Sequence, residues 1–329
     1  MFKKIAIKTG VLTTVFILAV IVSSYVTNRG NTDMSADMGG ATLPRISFMT
    51  EGYEVNSLPG YKSDMTLTSM RDTLTPVTNN QLDMNIAKYD NQIQKVYWQV
   101  YTLNGKKCIQ EGTIKDVQDT VTLNFRNTKI LKEERILKVT LYLDNQNIYF
   151  YTRIKNSADC NYKASLDFAN NFHSAALEGQ GDKIESYLET DTDSDADSST
   201  YQEVTLASTQ AQVLWGSLAP QVSGNVYWEI KECNENYTSL VLKYQVKCAG
   251  DTDYADRLYS VKEFFRIRTG EDAQQYLLDY DRTMNQRFDG KTTALNQKGV
   301  LVGIAPTELE YETNTDGTIV AFIEDNQLW

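Results

Sequence analysis

The stretch "ILKVTLYLDNQNIYFYTRIKN", residues 136–156, decides how the first half of this chain folds. Leu137, Val139, Leu141 and Leu143 recur at every second position. Asp144 to Asn147 supply turn chemistry, and Ile148, Phe150 and Ile154 resume the apolar spacing. Period-two alternation puts these side chains on one face of an extended chain, which predicts an antiparallel hairpin with one buried side.

The same pattern repeats toward the N-terminus. Leu82, Met84 and Ile86 alternate ahead of the turn residues "YDNQ", Val96, Trp98 and Val100 ahead of "LNGK", and Val121, Leu123 and Phe125 form a further short strand. Six or seven strands between residues 46 and 155, separated by frequent turn signals, predict an all-β sandwich of the immunoglobulin-like or fibronectin-like kind. A fold of this class carries no function by itself.

Beyond Asn156 the period changes. In "NYKASLDFANNFHSAALEGQGDKIESYLE", residues 161–189, Leu166, Phe168, Phe172, Ala175 and Ala176 take helical spacing, Gly179 ends the helix, and a shorter one restarts at Asp182. "YQEVTL" predicts a strand and "STQAQVLWGSLA" a third helix capped by Ser208. Four long strands follow, carrying Val226, Trp228 and Ile230, then Leu240, Leu242, Tyr244 and Val246, then "LYSVKEFFRIR", then "AQQYLLDYDR". This order over residues 157–288, within an α+β domain at 156–288, resembles the NTF2-like α+β cone, in which a curved sheet wraps helices around a pocket. The resemblance implies a cavity, with Trp215, Trp228, Tyr244 and Phe265 as its candidate ligand-binding wall; core packing is the alternative role for each.

The N-terminus supplies an anchor. Lys3, Lys4 and Lys8 precede an uncharged run from Thr9 to Val26. At about 1.5 Å per residue this run spans roughly 27 Å, close to the thickness of a bilayer core. The lysines predict a cytoplasmic tail at residues 1–8, a transmembrane helix at 9–26, and everything later outside the cytoplasm at the cell membrane. A cleaved signal peptide is the competing reading, although its apolar region is normally shorter and no A-x-A site follows. Residues 27–45 are polar, Gly-bearing and aperiodic, as suits a stalk.

With 43 acidic against 32 basic residues the formal charge is -11, which argues against a nucleic-acid partner. Outside the cytoplasm the four cysteines, at 108, 160, 233 and 248, have the opportunity to pair. By strand phase Cys233 and Cys248 face opposite sides of their hairpin unless a bulge intervenes, so no disulfide framework is expected; a bridge from Cys108 to Cys160 stays open.

Motifs with chemistry are few. Asp191, Asp193, Asp195 and Asp197 alternate in "DTDSDADSST" and are the candidate metal residues, for Ca²⁺. Ala196 and Gln202 stand where an EF-hand loop needs its turn glycine and bidentate glutamate, which favours a solvated acidic loop. "GKTT" at Gly290 lacks the first glycine of a phosphate-binding loop, since residue 285 is Asn285. His173 is the single histidine; a Ser-His-Asp triad would have to use it, an H-E-x-x-H site is impossible, and a packed or half-exposed helix position is its expected role. "NYT" at Asn236 is a glycosylation sequon by pattern. No catalytic residue is assigned.

Residues 289–316 read as a linker, and "GTIVAFIEDNQLW", residues 317–329, as an orphan hairpin. Val320-Ala321-Phe322 and Leu328-Trp329 resemble the opening of a TolB-like propeller blade, which implies a chain continuing into further blades. The whole layout resembles membrane-anchored surface proteins of Gram-positive type. The expected function is a non-catalytic binding or interaction module with a protein or envelope-component partner. The alternatives are a ligand sensor or carrier using the aromatic pocket and a surface hydrolase working by acidic catalysis.

Overall fold

The computed structural model describes residues 2–27, 43–126, 128–159, 161–189, 201–249 and 257–287, with short stretches at 295–296, 299–300, 311–315, 320–324 and 327–328. Helix α1, Phe2–Thr27, contains the membrane-length segment Lys8–Val26. All of Lys8 to Val26 is exposed, with Leu12, Phe16, Ile17 and Val22 more than half so. A helix that is apolar all round and covered by nothing has the length and composition to cross a bilayer. A signal sequence has the same character.

The chain from Gly39 to Arg287 forms one compact unit. Its first strands are β1 (Arg45–Thr50), β2 (Tyr53–Pro59), β3 (Leu74–Val77), β4 (Gln81–Ala87), β5 (Ile93–Thr102), β6 (Cys108–Ile114), β7 (Thr120–Asn124), β8 (Arg135–Leu143) and β9 (Asn147–Asn156). The hairpin expected from residues 136–156 is present as β8 and β9, with Leu141 opposite Ile148 and Val139 opposite Phe150. The order β3-β9-β8-β5-β6 makes a five-stranded sheet, in which β3 runs parallel to β9. Facing it are β2, β1, β4 and β7. Between the sheets lie Phe48, Met84, Leu123, Val96, Val100, Leu137 and Phe150, all buried. Trp98 meets Phe125 edge-on, ring centres 5.4 Å apart, and Gly112 makes room for the indole across the strand pair. A Cβ on Gly112 would sit 2.5 Å from Trp98 Cζ2, which explains why a strand position carries glycine.

The later elements are α2 (Tyr162–Leu177), β10 (Glu203–Thr205), the short helix α3 (Gln210–Val213), β11 (Pro220–Cys233), β12 (Thr238–Cys248), β13 (Leu258–Thr269) and β14 (Gln275–Gln286). Helix α2 ends as its sequence predicts: Gly179 adopts φ +69° and the Gln180 amide reaches back to the Ala175 carbonyl. The helix expected from Asp182 is instead two 3₁₀ turns, Gly181–Lys183 and Glu185–Tyr187. Helix α3 is capped by Thr209, one residue after the expected Ser208, because Thr209 and Gln212 complete a reciprocal capping box; Ser208 Oγ accepts from the Thr205 amide.

One sheet crosses the point where the pattern changes. The nine-stranded order β10-β14-β13-β12-β11-β2-β1-β4-β7 takes strands from both sides of Asn156. Its seam is a parallel contact with a single bridged pair, Trp228 opposite Val55. Asn56 reinforces it: fully buried at φ 53°, its side-chain amide donates to the Leu74 carbonyl and Thr75 Oγ1 while its oxygen accepts from the Ile230 amide. Tyr53 donates to Asp167 on α2 at 2.7 Å, the Thr50 and Tyr162 hydroxyls meet at 2.7 Å, and Arg153 donates to the Lys231 carbonyl.

The cysteine expectation is corrected. A register shift between Ile230 and Glu232 returns Cys233 to the face of Ile230, so the bulge turns it to the side that Leu240 and Cys248 also occupy. Cys233 is buried and disulfide-bonded, although not to Cys248; Cys108 is an exposed thiol, and the bridge from Cys108 is therefore not formed.

The C-terminal stretches include β15 (Leu295–Asn296) paired with β16 (Gly299–Val300). Strands β17 (Tyr311–Thr313), β18 (Val320–Glu324) and β19 (Gln327–Leu328) form a separate three-stranded sheet. The hairpin expected there closes with Ile323 opposite Leu328.

Candidate functional site

The inner face of β12, β13 and β14 is set by strand phase. Leu240, Phe265 and Tyr280 form one row across the three strands, Leu242, Glu263 and Arg282 the next, and Tyr244, Val261 and Met284 the third. All nine side chains are buried. Helix α2 covers this face with Phe172 and His173: the Phe172 ring lies 5.0 Å from Tyr280 and 5.9 Å from Phe265, centre to centre. Two ionisable side chains, Glu263 and Arg282, thus face one another in the middle of an aromatic core.

Glu263 is fully buried. Its Oε1 accepts from His173 Nδ1 at 3.1 Å and from the Tyr244 hydroxyl. An ionised carboxylate accepts only, so this contact places the His173 proton on Nδ1. Burial pushes the Glu263 carboxyl up, but the His173 ring, the Arg282 charge and the Tyr244 hydroxyl outweigh it and hold it below the usual glutamate range. The same burial, with the Glu263 charge beside it, pushes the Tyr244 phenol well above its ordinary value.

Arg282 donates to the Val213 carbonyl at 2.8 Å and the Gln212 carbonyl at 2.6 Å, and its guanidinium sits 3.8 Å over the Trp215 ring. It therefore caps the C-terminal end of α3, where free carbonyls and the helix dipole favour a cation. Tyr280, also fully buried, has its phenol pushed up by burial and by the Glu263 charge. Arg282 lies near enough to pull that phenol back down by its charge and as a nearby donor, yet no protein group meets the hydroxyl in regular hydrogen-bond geometry.

The four proposed wall residues are all interior. Phe265 lies 6.1 Å from Trp228 and 5.2 Å from Tyr280 between ring centres, Tyr244 lies 4.8 Å from the His173 ring, and Trp215 lies under Arg282. Phe265 and Trp228 therefore come together, while Tyr244 and Trp215 each belong to a polar contact. His173 is buried rather than half-exposed, because Glu263 supplies the partner its ring needs. Sequence reading did not single out Glu263, Arg282 or Tyr280. The signal was present: Val261, Glu263, Phe265 and Ile267 share one phase, as do Tyr280, Arg282 and Met284, so each strand carries one charge on its apolar side.

Asp191, Asp193, Asp195 and Asp197 lie outside the described residues, as does the "GKTT" segment. Among the described residues no group of three or more His, Cys, Asp or Glu is arranged to hold a metal ion. Asn236 is exposed, in the turn between β11 and β12.

A second polar network lies on the outer face of the five-stranded sheet. Asp64, in the segment joining β2 to β3, pairs with Lys138 and accepts from the Tyr151 hydroxyl, which in turn accepts from the Met65 amide. Burial raises the Asp64 carboxyl, but Lys138 and Tyr151 outweigh it and hold it below the ordinary aspartate value. No known family model matches the chain, and no curated protein matches it.

Proposed function

We propose that this chain is a single-pass, membrane-tethered protein whose compact β unit stands outside the cytoplasm as a non-catalytic binding or interaction module. The observation that carries this reading is the exposed apolar helix Lys8–Val26, preceded by Lys3 and Lys4, ahead of a compact unit from Gly39 to Arg287. In support of an immunoglobulin-like first half, β3 runs parallel to β9 beside the antiparallel β9-β8-β5-β6 series, with β4 and β7 on the opposite sheet. In support of an NTF2-like second half, α2 lies on the antiparallel β11 to β14. The filled interior favours an interaction role over a carrier: Trp215, Phe265, Tyr280 and Arg282 are among the largest fully buried side chains. Acidic hydrolysis draws less support, since among the described residues the one fully buried carboxylate, Glu263, is bound by His173 and Tyr244 rather than set opposite a second acid.

The test is topology followed by turnover. The full chain should stay with membranes through an alkaline wash, and its β unit should be digested by protease added to intact cells. Release by the wash, or protection of the β unit until cells are lysed, would overturn the tether or its orientation. Turnover on a polysaccharide and peptide panel that Glu263→Gln abolishes would overturn the non-catalytic assignment.

A further inference from the structure

Glu263 and Arg282 are direct cross-strand partners, opposite in charge, fully buried and on the same face of the sheet. Directly opposed residues hold their Cβ atoms about 4.5–5.5 Å apart, near enough for two long side chains to meet. They do not meet. Glu263 spends Oε1 on His173 and Tyr244, and Arg282 spends both terminal nitrogens on α3 carbonyls. This leaves Glu263 Oε2 and Arg282 Nε buried with no protein partner, and the Tyr280 hydroxyl, one row away on the same face, is in the same condition. The Arg282 charge helps to hold the Glu263 carboxyl down, and the Tyr280 phenol is pushed up by the Glu263 charge and pulled back by Arg282.

A buried charge with an unsatisfied atom is costly, and so is a buried phenol without a partner. The unmatched set here is one acceptor, one obligate donor and one hydroxyl able to do either. Those are the groups a single water molecule satisfies at once: it donates to Glu263 Oε2, accepts from Arg282 Nε–H, and exchanges its third bond with the Tyr280 hydroxyl. Internal waters in folded proteins make about three such bonds, and water is the natural bridge between charges that face one another without contact. We propose that the core under α2 contains an internal water-binding site formed by Glu263, Arg282 and Tyr280. This site stands independently of the tethered-module reading. It makes the water an integral joint between β13 and β14, in place of a direct Glu263–Arg282 ion pair.

A crystal structure of the protein to about 1.5 Å should show one ordered water within hydrogen-bonding distance, about 2.6–3.2 Å, of Glu263 Oε2, Arg282 Nε and the Tyr280 hydroxyl. Direct contact between Glu263 Oε2 and Arg282 Nε with no density between them would overturn the proposal, and so would a bound organic molecule or ion in that position. Tyr280→Phe gives a second reading that keeps the ring packing. With the water in place this variant strips one of its three ligands, and the melting temperature of the full chain in detergent should fall by roughly 2–4 °C. An unchanged or raised melting temperature would overturn the site, because it would show that the hydroxyl had no bound partner to lose.

Discussion

The two interiors of the compact unit solve one problem in opposite ways. Between the sheets around β5 and β8 the filling is aliphatic and aromatic, with Trp98 set edge-on to Phe125 in the space Gly112 leaves. Under α2 the filling is equally buried but includes a carboxylate, a guanidinium, an imidazole and two phenols. The first interior is held by shape and apolar area, so damage scales with volume removed. The second is held by matched polar partners, so damage scales with the number of groups left unmatched.

The largest effects should come from removing a keystone of either kind. Trp98→Ala is expected to cost about 3–5 kcal/mol in urea unfolding of the full chain, and Glu263→Ala about as much, roughly 3–5 kcal/mol, because it strands His173, Tyr244 and Arg282 together. The contrast appears in the conservative variants. Trp98→Phe should recover most of the loss, whereas Glu263→Gln should recover little. The amide is neutral beside Arg282, and it turns an acceptor-only group into one that also donates. Full rescue by glutamine would remove the distinction between the two interiors.

A middle-sized effect tests the seam between them. Asn56→Ala is expected to cost about 1–3 kcal/mol, since the Ile230 amide and the Leu74 carbonyl each lose a buried partner; a change under about 0.5 kcal/mol, the range of ordinary surface substitutions, would show that the seam does not depend on it. Gly112→Ala should fall in a similar range, about 1–3 kcal/mol, through the clash with the indole.

The smallest effect is a pH dependence. Asp64 has a carboxyl held below its ordinary value of 3.8, so its pairing with Lys138 and Tyr151 contributes fully above that value and is lost as pH falls through the lowered one. The group is half-exposed, so the contribution is screened and well under about 1 kcal/mol. Stability measured from pH 5 down to pH 2 should fall slightly less steeply in Asp64→Asn than in the parent; an identical acid limb would exclude the pairing as a contributor.

These contrasts also explain what was legible beforehand. The strands carrying Leu82, Trp98, Leu123, Leu137 and Phe150 could be read from alternation alone, because each repeats its apolar side chains at every second position. The α2 boundary could be read from Gly179. The continuous sheet could not, since β11 joins β2 through one bridged pair and a buried asparagine, and such a contact leaves no periodic trace. The turn of Cys233 toward the core was hidden by a bulge, which shifts phase without marking the sequence. His173 could be placed on its helix but not given a partner, because Glu263 lies 90 residues further on and is brought to it by the sheet.

The position of β1 has a mechanical consequence. The chain enters the compact unit at Arg45 and runs at once into a strand hydrogen-bonded along both edges, to β2 on one side and β4 on the other. For β1 to leave the unit from this end, the ladders to both β2 and β4 must break. Entry through an edge strand would give way at a single ladder. A body held by this end would therefore come apart there only after two ladders fail, not one.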